Sequence, residues 1–264
     1  MARHRPNLQR AVIFIIFGSV GIAVATLCRA DERVEAQTVI DKAIQAMGGE
    51  ANLAKLKAVT WKSRGTIQFK SAPNPFTSQW AMQGPNHYRK IKIRDKAENG
   101  RSNKTILVLD GNKGWFRNDK NALITVLPTN GLAGLREETF LHWIALRLDL
   151  TDKAITLSPL GGSVVDGHGV QGIKITHREL HDVHFELFFD AETGLLAKLI
   201  TKNSDKNAPP EERVFSEYRE TGGIKYAAKL KWTARYGDDL AIQEEERYDM
   251  QLHEKLDDSV FGQP

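Results

Sequence analysis

Apolar positions along the chain change their period twice. Ala36, Val39, Ile40, Ala43, Ile44 and Met47 recur every three or four residues, the spacing of one helix face, and Gly48-Gly49 supplies the left-handed stop that helix ends favour. A short second helix is predicted over Glu50–Leu56, with Leu53 and Leu56 on one side. From Val59 to Lys70 the period becomes two, with odd positions mainly apolar or small and even positions polar. That pattern predicts a long strand with one dry and one wet face, as antiparallel sheets have. The same alternation returns over Ile224–Arg235 and, with a charged edge, over Leu240–Leu252.

Between these lie further strand candidates: Phe76–Met82, Tyr88–Arg94, Thr105–Leu109, Gly114–Arg117, Leu123–Leu127, Ile155–Ser158, Val170–His177, Val183–Asp190 and Leu195–Lys202. Gly84-Pro85-Asn86, Asp110-Gly111-Asn112, Gly161-Gly162 and Asp190–Gly194 read as turns between them. One helix interrupts the series over Leu132–Leu148, carrying Leu135, Phe140, Trp143, Ile144 and Leu148 in a broad apolar stripe. The polar stretch Asn203–Glu212, with Pro209-Pro210, reads as an exposed loop and not as a domain boundary. Strands joined by short turns predict a meander, and the missing strand–helix alternation excludes a parallel α/β sheet. The expected fold is mainly β (α+β): a curled, unclosed antiparallel half-barrel covered by a few helices, with an apolar cleft between the layers.

Charge changes the picture at the N-terminus only. Arg3, His4, Arg5 and Arg10 precede an uncharged run from Ala11 to Cys28, and Ala30 stands before the acidic Asp31-Glu32. This has the three parts of a secretory signal, although an eighteen-residue run also reaches the lower limit for a membrane anchor. Either way, residues 1–30 are expected to deliver a single domain, 31–264, to the periplasm or cell envelope. The net charge of +4 comes from Arg3, Arg5, Arg10 and Arg29, and without them the chain is balanced. No basic footprint remains for a nucleic-acid partner. Cys28 is the single cysteine, so no intramolecular disulfide is available. It stands where a lipidated cysteine would, but Leu27 before it fits a lipidation signal poorly.

Several phrases occur in an order that resembles the LolA/LolB-like periplasmic lipoprotein carriers, especially their divergent outer membrane lipoprotein-sorting relatives. They are Ala46-Met47-Gly48-Gly49, Leu53–Lys57, Asp110–Trp115, Phe189–Leu196, Tyr218-Arg219 and Gly223–Tyr226, spread over roughly residues 34 to 262. The resemblance implies an unclosed barrel whose interior, covered by helices, receives an acyl chain. It implies transport or sorting to the outer membrane, and membrane proteins as donor or acceptor. No residue-by-residue ligand motif carries over.

Candidate acyl-binding residues follow from periodicity instead. They are Trp61, Ile67, Phe69, Trp80, Met82, Leu107, Leu109, Trp115, Phe185, Leu187, Leu230 and Trp232 from the dry face, with Phe140, Trp143 and Ile144 from the covering helix. His177, His181 and His184, with Glu179 and Asp182 nearby, raise a metal-dependent hydrolase as a rival, but their spacing fits a hairpin and its tip. Nucleophile elbows and phosphate-binding glycine loops are missing from the sequence, and adjacent acids on strands point to opposite faces. The expectation is a monomeric lipid-binding protein with no catalytic residue, metal or cofactor. A membrane-anchored adaptor that uses the same fold to bind protein is the second reading.

Overall fold

The computed structural model describes residues 19–70, 72–94, 103–119, 124–150, 152–180, 183–203 and 209–264, with backbone alone for 19–32 and 203. The basic run Arg3–Arg10, residues 11–18 of the apolar run, Leu123, His181 and Asp182 lie outside the described residues. Helix α1 (Ser19–Ala46) and the single turn α2 (Glu50–Leu53) lead into six strands: β1 (Ala58–Gln68), β2 (Asn74–Gln83), β3 (His87–Arg94), β4 (Asn103–Asp110), β5 (Lys113–Asn118) and β6 (Ile124–Val126). Helix α3 (Thr129–Arg147) follows. Seven more strands complete the chain: β7 (Ile155–Val165), β8 (His168–His177), β9 (Val183–Asp190), β10 (Leu196–Asn203), β11 (Glu211–Thr221), β12 (Ile224–Tyr236) and β13 (Asp239–His253). A 3-10 turn, Asp258–Phe261, comes last. Among the described residues no helix is long and apolar enough to cross a membrane.

The 13 strands form one antiparallel sheet in the order β6-β5-β4-β3-β2-β1-β13-β12-β11-β10-β9-β8-β7. Each strand pairs with its neighbours in sequence except β6 and β7, and the two runs of hairpins join at one seam in the middle, where β1 meets β13 with Ala58 opposite His253. Strands β6 and β7 are the two edges, and α3 is the connection between them. The sheet therefore curls without closing, and the expected half-barrel is the fold observed.

Two segments depart from the sequence reading. Strand β11 was not anticipated, because its pattern is irregular: Val214 and Phe215 are adjacent, and Glu217 takes a left-handed φ of 50°. Strand β7 runs on past Ser158 to Val165, and Gly161-Gly162 lies inside it. The pair marks a bulge, where the register shifts between Pro159 opposite Ile173 and Gly161 opposite Gly172. The actual turn is Asp166-Gly167, both with positive φ.

The concave face is filled from two directions. At one end α1 buries Ala36, Ile40, Ala43 and Met47, the predicted stripe, beside β7 and β8. From the mouth comes α3, in which every residue from Thr139 to Ile144 is buried. A helix with no wet face over six residues is enclosed, not laid on a surface. The helix expected as a cover is thus a plug, held inside the curl of the sheet. On the convex side Ala81, Ile106, Val108 and Phe261 make a second, smaller cluster, which the C-terminal turn seals. Strands β2 to β4 are accordingly buried on both faces there, and Thr105–Leu109 reads as an almost unbroken apolar run.

The end of α1 is tied to the far hairpin. Gly48, at φ 125°, closes the helix with the paired bonds Gly48 N to Gln45 O and Gly49 N to Ile44 O. The Met47 carbonyl then accepts from Lys225 N of β12 at 2.9 Å. A Cβ on Gly48 would overlap the Gly223 carbonyl, whereas one on Gly84 would meet open space. Gly48→Ala is expected to lower unfolding free energy by at least about 2 kcal/mol, against about 1 kcal/mol for Gly84→Ala, whose only cost is its left-handed backbone. Denaturant titration of the two variants checks this, and equal midpoints would remove the helix-end contact from the account.

Candidate functional site

The buried part of α3 rests on an aromatic box. Trp61 and Trp80 are paired across β1 and β2 and stack with centroids 5.1 Å apart. His142 packs edge-on to Trp80 at 5.0 Å and stacks on Tyr88 at 6.3 Å. Trp80 Nε1 donates to the buried Ser63 Oγ at 3.0 Å, while Trp61 Nε1 is buried with no acceptor. On the opposite side Phe140 packs against Phe185 at 5.6 Å and His177 at 5.0 Å.

Charged residues occupy the concave face toward the mouth. Strand β3 turns Tyr88, Lys90 and Lys92 inward, and β13 turns Gln243, Glu245 and Arg247 inward. The Lys90 ammonium sits 4.2 Å above the Trp80 ring and 3.2 Å from Glu138 Oε1, which also accepts from Tyr88 OH at 3.0 Å. Lys92 Nζ lies 3.9 Å over Phe76 and donates to Gln243 Oε1 at 2.7 Å. Glu245 and Arg247, 4% and 2% exposed, form an ion pair at 3.5 Å, and the Arg247 guanidinium stands over Trp61.

Burial and charge shift the ionisable groups here. Burial pushes His142 down to about 4, against the opposing pull of Glu138, so the imidazole is neutral at pH 7. Burial also works against ionisation of Glu138, but Lys90 and His142 outweigh it and hold that carboxyl well below its usual range. Lys92 is lowered to about 7 by burial and by the neighbouring charges of Lys90 and Arg94. Glu137, one residue before Glu138 on α3, is raised to about 7 by burial and by Glu211.

Two clefts flank α3. One, of about 380 Å³, runs between its N-terminal half and strands β1–β3 and β11–β13. Its walls are Ile67, Trp80, Leu141, Leu230 and Trp232 together with Lys90, Glu137, Glu138, His142, Glu211, Arg213, Gln243 and Glu245. The other, of about 550 Å³, lies beyond Arg136, Phe140 and Trp143 and is bounded by the turn Pro85-Asn86, by Asn112 and by His177 and Leu180. A groove of about 750 Å³ on the convex face is larger. Among its charged walls Arg64 pairs with Glu246, and Glu246 and Lys229 reach Arg219 and Glu217 beside it, as on an ordinary wet sheet face.

The residues expected to line a ligand cavity do not stay together. Ile67, Trp80, Leu230 and Trp232 meet at the first cleft, and Phe140 and Trp143 at the second. Trp61, Met82, Leu109, Ile144, Phe185 and Leu187 are packed in the main core, and Leu107 lies against it. Phe69 is 42% exposed and meets the ring of Tyr236. Trp115 pairs with Val108 on the convex face, so its neighbour Phe116, opposite Leu107, is the aromatic that points inward. None of the charged residues of the first cleft was anticipated. The available signal was β3 itself, where lysines alternate with Ile91 and Ile93 and the apolar pair takes the outer side.

The histidine cluster does not assemble among the described residues. His184 is opposite Thr176, which puts His177 and His184 on opposite faces of the β8–β9 ladder. His177 turns inward against Phe140, and His184 approaches Glu186. No group of three potential metal ligands is found among the described residues.

No protein-family model and no curated protein matches the sequence. Solved structures do match the fold. A LolA superfamily protein from Nitrosomonas europaea aligns with a TM-score of 0.57 at 11% identity, over 86% of this chain and 97% of that one. A putative outer membrane lipoprotein-sorting protein domain from Vibrio parahaemolyticus gives 0.57 at 10% identity, over 87% and 97%. A DUF1329 family protein from Desulfovibrio piger gives 0.56 at 11%, over 86% and 97%. The chain thus has a LolA/LolB-like fold, as its phrases implied.

The position of Lys92 has a measurable cost. Its folded pKa, about 7, lies below its ordinary value of 10.5, so between these limits the unfolded chain binds more protons than the folded one. Stability is therefore expected to rise with pH from 7 to 9, by up to about 1.4 kcal/mol per unit. Lys92→Met is expected to flatten that slope, read from urea midpoints at each pH. An unchanged slope would mean that Lys92 stays solvated.

Proposed function

We propose that this chain is an exported envelope protein whose 31–264 portion acts as one domain and holds a lipid or lipoprotein acyl chain between α3 and the sheet. It would serve in transport or sorting toward the outer membrane as a monomer, exchanging cargo with membrane-bound donors and acceptors, with no chemistry of its own. The observation that carries this reading is the enclosure of Thr139–Ile144 within an unclosed sheet, with a cleft on each side of the helix. The LolA/LolB-like fold supports it.

Helix α3 hangs between two edge strands, from Leu127-Pro128 at one end and Leu148-Asp149 at the other. Withdrawing it would uncover Trp61, Trp80 and Phe185 on the sheet. An acyl chain entering in its place contributes about 0.8 kcal/mol for each buried methylene. Helix and ligand thus compete for one apolar surface. Loading and release then depend on whether the donor or the acceptor offers the better apolar site. The well-packed core beneath α3 favours the second reading, an adaptor that binds protein through its outer surfaces. One experiment separates the two.

Protein purified from a bacterial periplasm without detergent is expected to show, in native mass spectrometry, added mass that vanishes on denaturation and extracts as lipid. Ile67→Trp, which fills the first cleft, is expected to weaken uptake of a fluorescent fatty acid about tenfold or more while the thermal midpoint stays within a few degrees. A native mass that stays bare after incubation with phospholipids and acylated peptides would sink the carrier reading and leave the adaptor.

A further inference from the structure

The first cleft is unevenly charged. Four carboxylates wall it, Glu137, Glu138, Glu211 and Glu245, against two cations, Lys90 and Arg213. Both cations are engaged, Lys90 with Glu138 at 3.2 Å and Arg213 with Glu211 at 3.3 Å. Two carboxylates are left short of donors. Glu245 is 4% exposed, and although Gln243 Nε2 donates to its Oε2 at 3.0 Å, Oε1 has no hydrogen bond. Arg247 Nε, the nearby cation, stands 3.5 Å from that oxygen in ion-pair contact alone. Glu137 is half-buried and has no hydrogen bond or ion pair among the described residues. Burial and then Glu211 raise its pKa, and the charge of Arg213, which is paired to Glu211, offsets this only in part.

Opposite these acids the wall is apolar. Ile67 and Leu230 line it beside the ring of Trp232, whose Nε1 donates to Glu211 Oε2 at 2.9 Å. Carboxylate oxygens beside an indole ring and aliphatic side chains suit an organic cation that carries a hydrocarbon tail. An anionic headgroup would have to break the Lys90–Glu138 or Arg213–Glu211 pair to bond to a cation of the walls, while its own charge faced Glu137. The volume of about 380 Å³ admits a headgroup and several methylenes.

We propose that this cleft is a subsite for the ammonium group of an amphiphile, with Glu137 as its counter-ion and Ile67, Leu230 and Trp232 bedding the first methylenes. The proposal rests on the acyl-binding reading and sharpens it, because it makes an amine-bearing lipid the preferred occupant of this cleft over a fatty acid of equal length.

Calorimetric titration of the full chain with decylammonium, decanoate and decanol, each below its micelle concentration, tests it. Decylammonium is expected to bind at least about tenfold more tightly than decanoate. Glu137→Gln is expected to reduce that ratio to about threefold or less, and Glu137→Lys to invert it. The half-buried, unbonded position of Glu137 lets both variants fold, which their thermal midpoints verify. If all three amphiphiles bind equally, or the preference survives in Glu137→Gln, the ammonium subsite is wrong and the acyl-binding reading stands. If none binds, both fall.

Discussion

The stack of Trp61 on Trp80, with His142 edge-on against it, joins the three parts of this molecule that must agree. Trp61 belongs to the strand at the central seam, Trp80 to its neighbour, and His142 to the helix that fills the concavity. An open sheet of 13 strands has more dry face than a few short helices can cover from outside. Bringing one helix into the curl resolves this, but it buries whatever polar groups that helix carries. His142 is tolerated because it is neutral, and Glu138 because Lys90 and Tyr88 reach it. Buried polar groups with partial partners are costly to the fold and set its specificity. Here they mark the end of the interior where helix and sheet are not fully sealed.

Most of the architecture was legible in the sequence because it rests on period. The face of α1, the alternation of β1 and β12, and the stripe of α3 each reported a single dry side. Where two sides are dry the signal degenerates. Strand β4 is apolar on both faces because the C-terminal turn covers its back, and a local pattern cannot reveal a segment arriving from residue 261. Strand β11 was hidden for a different reason: the left-handed Glu217 breaks the alternation that would have announced it. The assignment of Trp115 to the interior failed by one residue, since a strand that slips by one exchanges its faces.

The site was less legible than the fold. Periodicity finds surfaces that avoid water, and the expected lining was chosen on that ground. Yet the cleft residues that distinguish this interior, Lys90, Glu137, Glu211 and Glu245, are polar side chains on a face that should be dry. Each reads as a solvated strand edge or helix face when taken alone. Only the pairing of β3 with β2, of β13 with β1 and of β11 with β12, with α3 laid inside them, shows that these side chains share one interior.

The seam between β1 and β13 also governs how the chain can come together. Strands β2 to β6 and β7 to β12 are meanders whose contacts are local and can form as the chain is made. The central pairing instead brings residue 58 to residue 253, and it must wait for the last strand. Loop closure over such a separation is slow relative to hairpin formation. During that interval both half-sheets present greasy inner faces without the partner strand, at the moment when aggregation competes most strongly with folding. A chain built this way gains from a chaperone that shields half-sheets until its C-terminal strand arrives.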